Sequence, residues 1–276
     1  MSEKPIEITD EQTDKLLVSL NNAYGYDFTN YARASIKRRL SRFIADTGFN
    51  DFANFEFQLL NNAEIFSLFL QRITVNVTEM FRDPVFYKMV RKQLLPVLAS
   101  YPIIKIWHAG CSSGEEVFSM AILLYEAGLL SRSKIYATDI NPNNIEKAKK
   151  GIIPLSVMKD YVSNYIDAGG QSDFASYYTA RYDHAIIRKD LRENIIFSQH
   201  NLVTDQVFNE FQAIFCRNVM IYFNKNLQNE VVNLFYNSLS NFGYLALGIK
   251  ESLLFSDIKS KFEVVSNEEK IFKRIR

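Results

Sequence analysis

The sequence predicts an α/β fold with an N-terminal helical domain and a small β-rich insertion, on three observations. From about residue 103 onward, short apolar runs alternate with segments of helical periodicity, as in a parallel sheet flanked by helices. Before residue 85 the periodicity is helical throughout. From about Tyr165 to Arg192 polar and aromatic residues, among them Gly169-Gly170, Tyr177, Tyr178 and Tyr182, interrupt the alternation. That stretch is long for a plain connection and reads as a small β-rich subdomain on the sheet's edge, or else as a surface loop. Residues 1–84 are therefore expected to form a helical domain and linker. Residues 85–276 should form the α/β domain, with the insertion at about 165–192.

Each element has its own signal. Thr9-Asp10-Glu11-Gln12 has the spacing of a capping box and opens a helix to about Ala23. Helices are predicted at 31–47, where Gly48 supplies the stop, and at 51–61 and 64–74. Pro84 suits the first turn of a helix running to about Ala99. Strands are expected near 103–109, 134–139, 195–200, 211–216 and 244–249, alternating with helices near 115–127, 141–150 and 226–238. Phe262–Val265 and Lys270–Ile275 read as a terminal hairpin.

The most informative stretch runs from Ile103 through His108-Ala109-Gly110-Cys111-Ser112-Ser113-Gly114 to Glu115-Glu116, followed by Lys134-Ile135-Tyr136-Ala137-Thr138-Asp139. An apolar run breaks into small residues and two glycines, a helix follows, and a second apolar run ends on an acid. This is the layout of a nucleotide-binding βαβ unit, in which Asp139 faces the crevice and can accept hydrogen bonds from ribose hydroxyls. Gly110 and Gly114 do not have the G-x-G-x-x-G spacing that cradles a pyrophosphate. Glu115 and Glu116 at the helix start would repel phosphate, so an adenosine without phosphates is expected. S-adenosylmethionine fits; a turn of purely structural use is the alternative.

Composition sets the remaining bounds. At 276 residues, with 47% hydrophobic and 14% aromatic content, the chain can bury a large core and is not disordered. It has no apolar run long enough to span a bilayer, and Glu3, Lys4, Glu7 and Asp10 leave no room for a signal-peptide core, so a cytoplasmic location is expected. Cys111 and Cys216 make no disulfide framework and read as small buried thiols. His108, His184 and His200 lack metal-ligand spacing, so no metal is expected.

The net charge of +1 hides an asymmetry. Between Tyr31 and Arg42 the chain carries Arg33, Lys37, Arg38, Arg39 and Arg42 and no acid. Ile36, Leu40, Phe43 and Ile44 form an apolar stripe on the same helix; Lys37, Arg38, Arg39 and Arg42 take the other arc, and Arg33 lies nearer the stripe. Such a face is either merely solvated or suited to an acidic partner.

Three further blocks complete a pattern. Asn76-Val77-Thr78-Glu79-Met80-Phe81-Arg82-Asp83 precedes the α/β domain, Asn201-Leu202 closes the third strand, and Cys216-Arg217-Asn218-Val219-Met220-Ile221-Tyr222-Phe223 closes the fourth. With Gly110–Glu116 and Ala137-Thr138-Asp139, these resemble in order, from about residue 10 to residue 255, the chemotaxis receptor glutamate methyltransferases, the CheR family. The resemblance implies a Rossmann-like class I S-adenosylmethionine-dependent methyltransferase that esterifies glutamate side chains on chemoreceptor cytoplasmic helices, releasing S-adenosylhomocysteine. It implies no nucleic-acid partner, no membrane insertion and a monomer.

By motif position, Asn76, Thr78 and Arg82 look like the linker residues that close over the cofactor. Glu116 and Asp139 look like acidic cofactor contacts, and Asn201, Leu202, Arg217 and Asn218 like the remaining pocket wall. Tyr222 matches the tyrosine near the transferred methyl, and Arg82 also stands where it could orient the substrate. The basic helix, with Arg33, Lys37, Arg38, Arg39 and Arg42, matches the receptor-docking helix.

The chain departs from the family in having Asn241-Phe242-Gly243 where a Pro-Gly-Gly-like turn is usual, and Gly248-Ile249-Lys250-Glu251 where Gly-His-Ser-Glu is typical. The insertion at 165–192 looks longer than in members whose β-subdomain binds a receptor's C-terminal pentapeptide, so tether binding is not carried over. Two rival readings are a methyltransferase of the same fold acting on a small molecule or nucleic acid, and a non-catalytic binding module. The first should not need the basic helix, and the second should lose cofactor residues.

Overall fold

A computed structural model describes residues 8–74 and 76–275; the charges at Glu3, Lys4 and Glu7 lie outside the described residues. The chain divides into two compact units, Met1–Val75 with Tyr222–Glu230, and Asn76–Ile221 with Val231–Arg276.

The first unit holds α1 (Asp10–Tyr24), α2 (Arg33–Thr47), α3 (Phe52–Asn61) and α4 (Ala63–Ile73). The capping box at Thr9 forms reciprocally: Gln12 N–H donates to Thr9 Oγ1 at 3.1 Å and Thr9 N–H to Gln12 Oε1 at 2.9 Å. The side chains of Asp51 and Asn62 cap α3 and α4 by accepting from backbone N–H groups, without the reciprocal bond. Ile36, Leu40, Phe43 and Ile44 are buried as their spacing predicts, and the Phe43 ring meets Phe55 and Phe69. The segment after Ile221 is sewn to the residues that lead into α2. Tyr31 and Phe223 form an antiparallel bridge, and Asn224 N–H donates to the Asn30 carbonyl at 2.9 Å.

The second unit begins with α5 (Pro84–Met89), a π-helical turn (Val90–Leu94) and α6 (Leu95–Leu98), where a single uninterrupted helix is predicted. Pro96 explains the interruption: it has no N–H to give the carbonyl four residues back, and the turn before it widens. Then follow β1 (Ile104–Ala109), α7 (Glu115–Glu126), β2 (Ser133–Asp139), α8 (Pro142–Lys150), β3 (Ile152–Pro154), α9 (Met158–Asp167), β4 (Tyr178–Arg181) and β5 (His184–Ile187). The chain continues through α10 (Lys189–Arg192), β6 (Ile195–Gln199), β7 (Phe211–Cys216), α11 (Lys225–Ser238), β8 (Leu239–Leu247), β9 (Phe262–Ser266) and β10 (Ile271–Arg274).

Seven strands form one sheet in the order β6-β2-β1-β7-β8-β10-β9. The first five run parallel and β10 is antiparallel to both neighbours, which makes the predicted hairpin the closing edge. Ile106 stands opposite Ile135 on one side and Ala213 on the other, all fully buried, as strands covered on both faces require. From β1 the chain first builds outward through β2 and β6, then returns to build β7 and β8 on the other side. The order therefore reverses between β1 and β7, and a crevice opens at the carboxyl ends of those strands.

The insertion differs from expectation. It is a separate three-stranded antiparallel sheet, β3-β5-β4, and β6 and β9 are the main sheet's edges. It starts at Ile152 and includes α9, while residues 189–192 are helical. A three-residue β3 is too short to show a period, and Met158, Tyr161 and Tyr165 are a buried helical stripe reaching the position where a β region was expected.

Candidate active site

The loop after β1 turns tightly because three of its residues sit at positive φ: Gly110 (+79°), Ser112 (+50°) and Gly114 (+98°). Gly110 and Cys111 N–H both donate to the Thr138 carbonyl at 2.8 Å, which ties the loop to the end of β2. Ser112 N–H donates to Asp139 Oδ2 at 2.8 Å. Asp139 Oδ1 accepts from Asn141 N–H at 2.9 Å and from Asn144 Nδ2 at 3.2 Å, and the same Nδ2 donates to Asn76 Oδ1 at 2.7 Å. The structure thus joins two predicted residues, Asn76 and Asp139, through Asn144. His200 N–H donates to the Asp139 carbonyl at 3.2 Å, so Asn201 and Leu202 follow directly on the residue beside it. Burial pushes the Asp139 carboxyl up, against the lowering effect of its three donors.

A second cluster lies around Arg217, a buried residue on the carboxyl side of β7. Its guanidinium pairs with Asp83 Oδ2 at 2.6 Å and Glu116 Oε2 at 3.2 Å, and stands 3.9 Å from the Phe86 ring centroid. Glu116 Oε1 also meets His108 Nδ1 at 2.9 Å. Burial opposes ionisation of Glu116, but His108 and Arg217 outweigh it and hold the carboxyl below the usual range. Glu116 and Arg217 are therefore partners of one another. Arg82 lies at the cluster's rim: its carbonyl accepts from Arg217, and its own Nη1 donates to the Val77 carbonyl at 3.2 Å. The Thr78 carbonyl accepts from the Tyr161 hydroxyl at 3.5 Å.

The third part is the loop after β7, with Asn218 at φ +62°. Buried Glu251 organises it: Oε2 accepts from Gly248 N–H at 2.5 Å and Asn218 N–H at 3.1 Å, and Oε1 from Val219 N–H at 2.9 Å and Ile221 N–H at 3.3 Å. Burial raises this carboxyl too, against the backbone donors. The two loops pack together: a Cβ on Gly110 would lie 2.4 Å from Val219 Cγ2.

In the first unit, Tyr222 follows directly on Ile221. Its carbonyl accepts from Ala32 N–H at 2.7 Å, and the Arg39 guanidinium lies 4.5 Å from its ring centroid. The predicted docking residues differ among themselves. Arg33 pairs with Asp14 and donates to the Asp10 carbonyl, and Lys37 pairs with Asp10 at 2.7 Å. Arg39 donates to the Ile73 carbonyl. Arg38 and Arg42 are exposed, Arg42 within 3.8 Å of Asp46. The acids that answer Arg33 and Lys37 come from α1, which an acid-free window on α2 cannot reveal.

Asn144 carries no signal in the sequence, while Asp83, His108 and Glu251 stand inside or beside recognisable motifs that do not reveal their partners. The sign available for Glu251 was an acid three residues beyond Gly248, at the end of a strand. Cys111 and Cys216 are free and buried, with thiols pushed up by burial. Among the described residues no group of three His, Cys, Asp or Glu is placed to hold a metal, and no helix is long and apolar enough to cross a membrane.

Residues 11–74 match the family described as CheR methyltransferase, all-alpha domain, and residues 76–271 match CheR methyltransferase, SAM binding domain. The chain belongs to the CheR methyltransferase family. Among its relatives is Cher3 of Pseudomonas putida KT2440, 46% identical over 266 residues that cover 96% of this chain and 97% of that one. A chemotaxis protein methyltransferase of Salmonella typhimurium is 31% identical over 87% of this chain and 82% of its own, and one of Listeria innocua is 31% identical over 83% and 86%. The resemblance read from the five blocks thus holds across both parts of the chain. The residues also fit the cofactor of a SAM-binding domain. Ser112 Oγ is buried beside Asp139 without a hydrogen-bond partner, and Asp139 uses three of a carboxylate's roughly four acceptor sites.

Proposed function

We propose that this CheR methyltransferase transfers the methyl group of S-adenosylmethionine to glutamate side-chain carboxylates on the cytoplasmic helices of chemoreceptors. The observation that carries the reading is the meeting of the Gly110–Gly114 turn, the Asp139 network and the Glu251-held loop at the point where the sheet order reverses. The relatives named chemotaxis protein methyltransferases supply the substrate class.

S-adenosylmethionine supplies an electrophilic methyl on a cationic sulfur. The receptor glutamate, with a pKa of about 4.3, is already a carboxylate at neutral pH in all but roughly one molecule in 500, so no general base is needed. The protein's task is alignment. Asp139 keeps an acceptor site for a ribose hydroxyl, with Asn76 and Asn144 holding its carboxylate in place. Arg217 is committed to Glu116 and Asp83, so it shapes the pocket wall. Asn201, Leu202 and Asn218 complete that wall, and Thr78 belongs to the linker over the cofactor. Arg82 and Tyr222 position the reacting groups. Arg38 and Arg42 offer the exposed charges for an acidic receptor helix, and the site works in the cytoplasm.

The test is incubation with methyl-labelled S-adenosylmethionine and receptor cytoplasmic fragments. Base-labile label on the fragments is the expected result, and label only on nucleic acid or small molecules would reject the reading.

A further inference from the structure

The geometry points to Arg39 as a positioning residue that aims Tyr222, so that the helix expected to dock the receptor also sets the tyrosine of the transfer site. This rests on the proposed place of Tyr222 near the transferred methyl. Arg39 lies on α2 among the basic residues, yet it is partly buried where Arg38 is exposed. Its guanidinium donates to the carbonyl of Ile73, the last residue of α4, and stands 4.5 Å from the Tyr222 ring centroid. A cation at a helix C-terminus is favoured by the carbonyl dipoles there, and a planar guanidinium can satisfy that carbonyl while stacking on an aromatic face.

The tyrosine's backbone is fixed from the same side. Ala32, the residue that opens α2, donates its N–H to the Tyr222 carbonyl at 2.7 Å. The next two residues are held by Tyr31 and Asn30, the latter through Asn224 Nδ2 at 3.0 Å from Asn30 Oδ1. Both the main chain and the ring of Tyr222 are therefore referenced to α2. A receptor helix engaging Arg38 and Arg42 presses on the same helix that carries Arg39. Arg39 itself is only partly exposed and its guanidinium is occupied by Ile73 and Tyr222, so Arg38 and Arg42 are better placed to meet a partner directly.

Arg39→Lys keeps the charge and loses the fork and the planar stack. With receptor fragment as substrate, it is expected to lower kcat by about 10- to 100-fold, the scale of a small misplacement at a reacting centre. KM for receptor and affinity for S-adenosylhomocysteine should stay within about twofold. In a Tyr222→Phe background, which has no hydroxyl to aim, the same substitution should have little further effect on kcat, a coupling that a remote structural role would not give. A raised KM at unchanged kcat, or kcat losses that simply multiply in the double variant, would overturn the inference. Absence of receptor methylation by the wild-type chain would instead count against the proposed function.

Discussion

At the scale of single residues, buried carboxylates carry most of the site's organisation, and their titration gives a signed expectation. Asp139 holds Ser112, Asn141 and Asn144, and burial raises its carboxyl. It therefore takes up a proton at higher pH than an exposed aspartate at about 3.9, and S-adenosylmethionine affinity should begin to fall on acidification before that value is reached. If Asp139 accepts a ribose hydroxyl as proposed, Asp139→Asn should cost about 1–3 kcal/mol of cofactor affinity by calorimetry, because a charged acceptor is replaced by a neutral amide. Glu116 behaves oppositely. Its folded-state pKa is depressed, so its stabilising contribution is complete above the unfolded value of about 4.3 and disappears as pH falls through the folded value. Glu116→Gln should accordingly flatten the acid limb of a stability-against-pH curve; an unchanged limb would show that the Arg217 pair contributes nothing there.

At the scale of elements, the alternating strands and the capped helices were legible because each has its own period or cap. The Thr9 capping box, the stripe from Ile36 to Ile44 and the run from Ile104 to Ala109 all lie where the residues predict. What was not legible depends on partners distant in sequence. Glu251 gathers amides from Asn218, Val219 and Ile221, which lie about thirty positions away, and no local pattern announces such a contact. Likewise β8 starts at Leu239, well before the predicted strand, because residues between its pairings with Phe211 and Ala213 bulge around Phe242 at φ +64°. The interlocking of the two loops is itself testable. Gly110→Ala adds a Cβ at φ +79°, 2.4 Å from Val219 Cγ2, and should weaken cofactor binding and stability together by about 1–3 kcal/mol. Adding Val219→Ala should recover the part due to the clash but not the part due to φ. Full recovery would mean that backbone strain at Gly110 costs nothing.

At the scale of the whole molecule, a net charge of +1 is a poor guide to how the protein meets its partner. Arg33 and Lys37 are answered by Asp14 and Asp10, and Arg39 is turned to Ile73 and Tyr222, so the charges α2 presents outward are chiefly Arg38 and Arg42, the latter exposed although Asp46 approaches it to 3.8 Å. If this pair docks acidic receptor helices, Arg38→Glu with Arg42→Glu should raise KM for receptor fragments by about tenfold or more while S-adenosylmethionine affinity and thermal stability barely change. Exposed charges are screened over about 10 Å at 0.1 M ionic strength, so added salt should weaken receptor methylation by the wild-type chain and affect the doubly reversed variant much less. Salt sensitivity alone would also suit a polyanionic nucleic acid, which makes the exchange of substrates decisive: receptor fragments should accept methyl groups where DNA and RNA do not. Receptor methylation with an unchanged KM after both reversals would reduce the basic arc to a solvated face, and recognition would then have to be sought elsewhere on the chain.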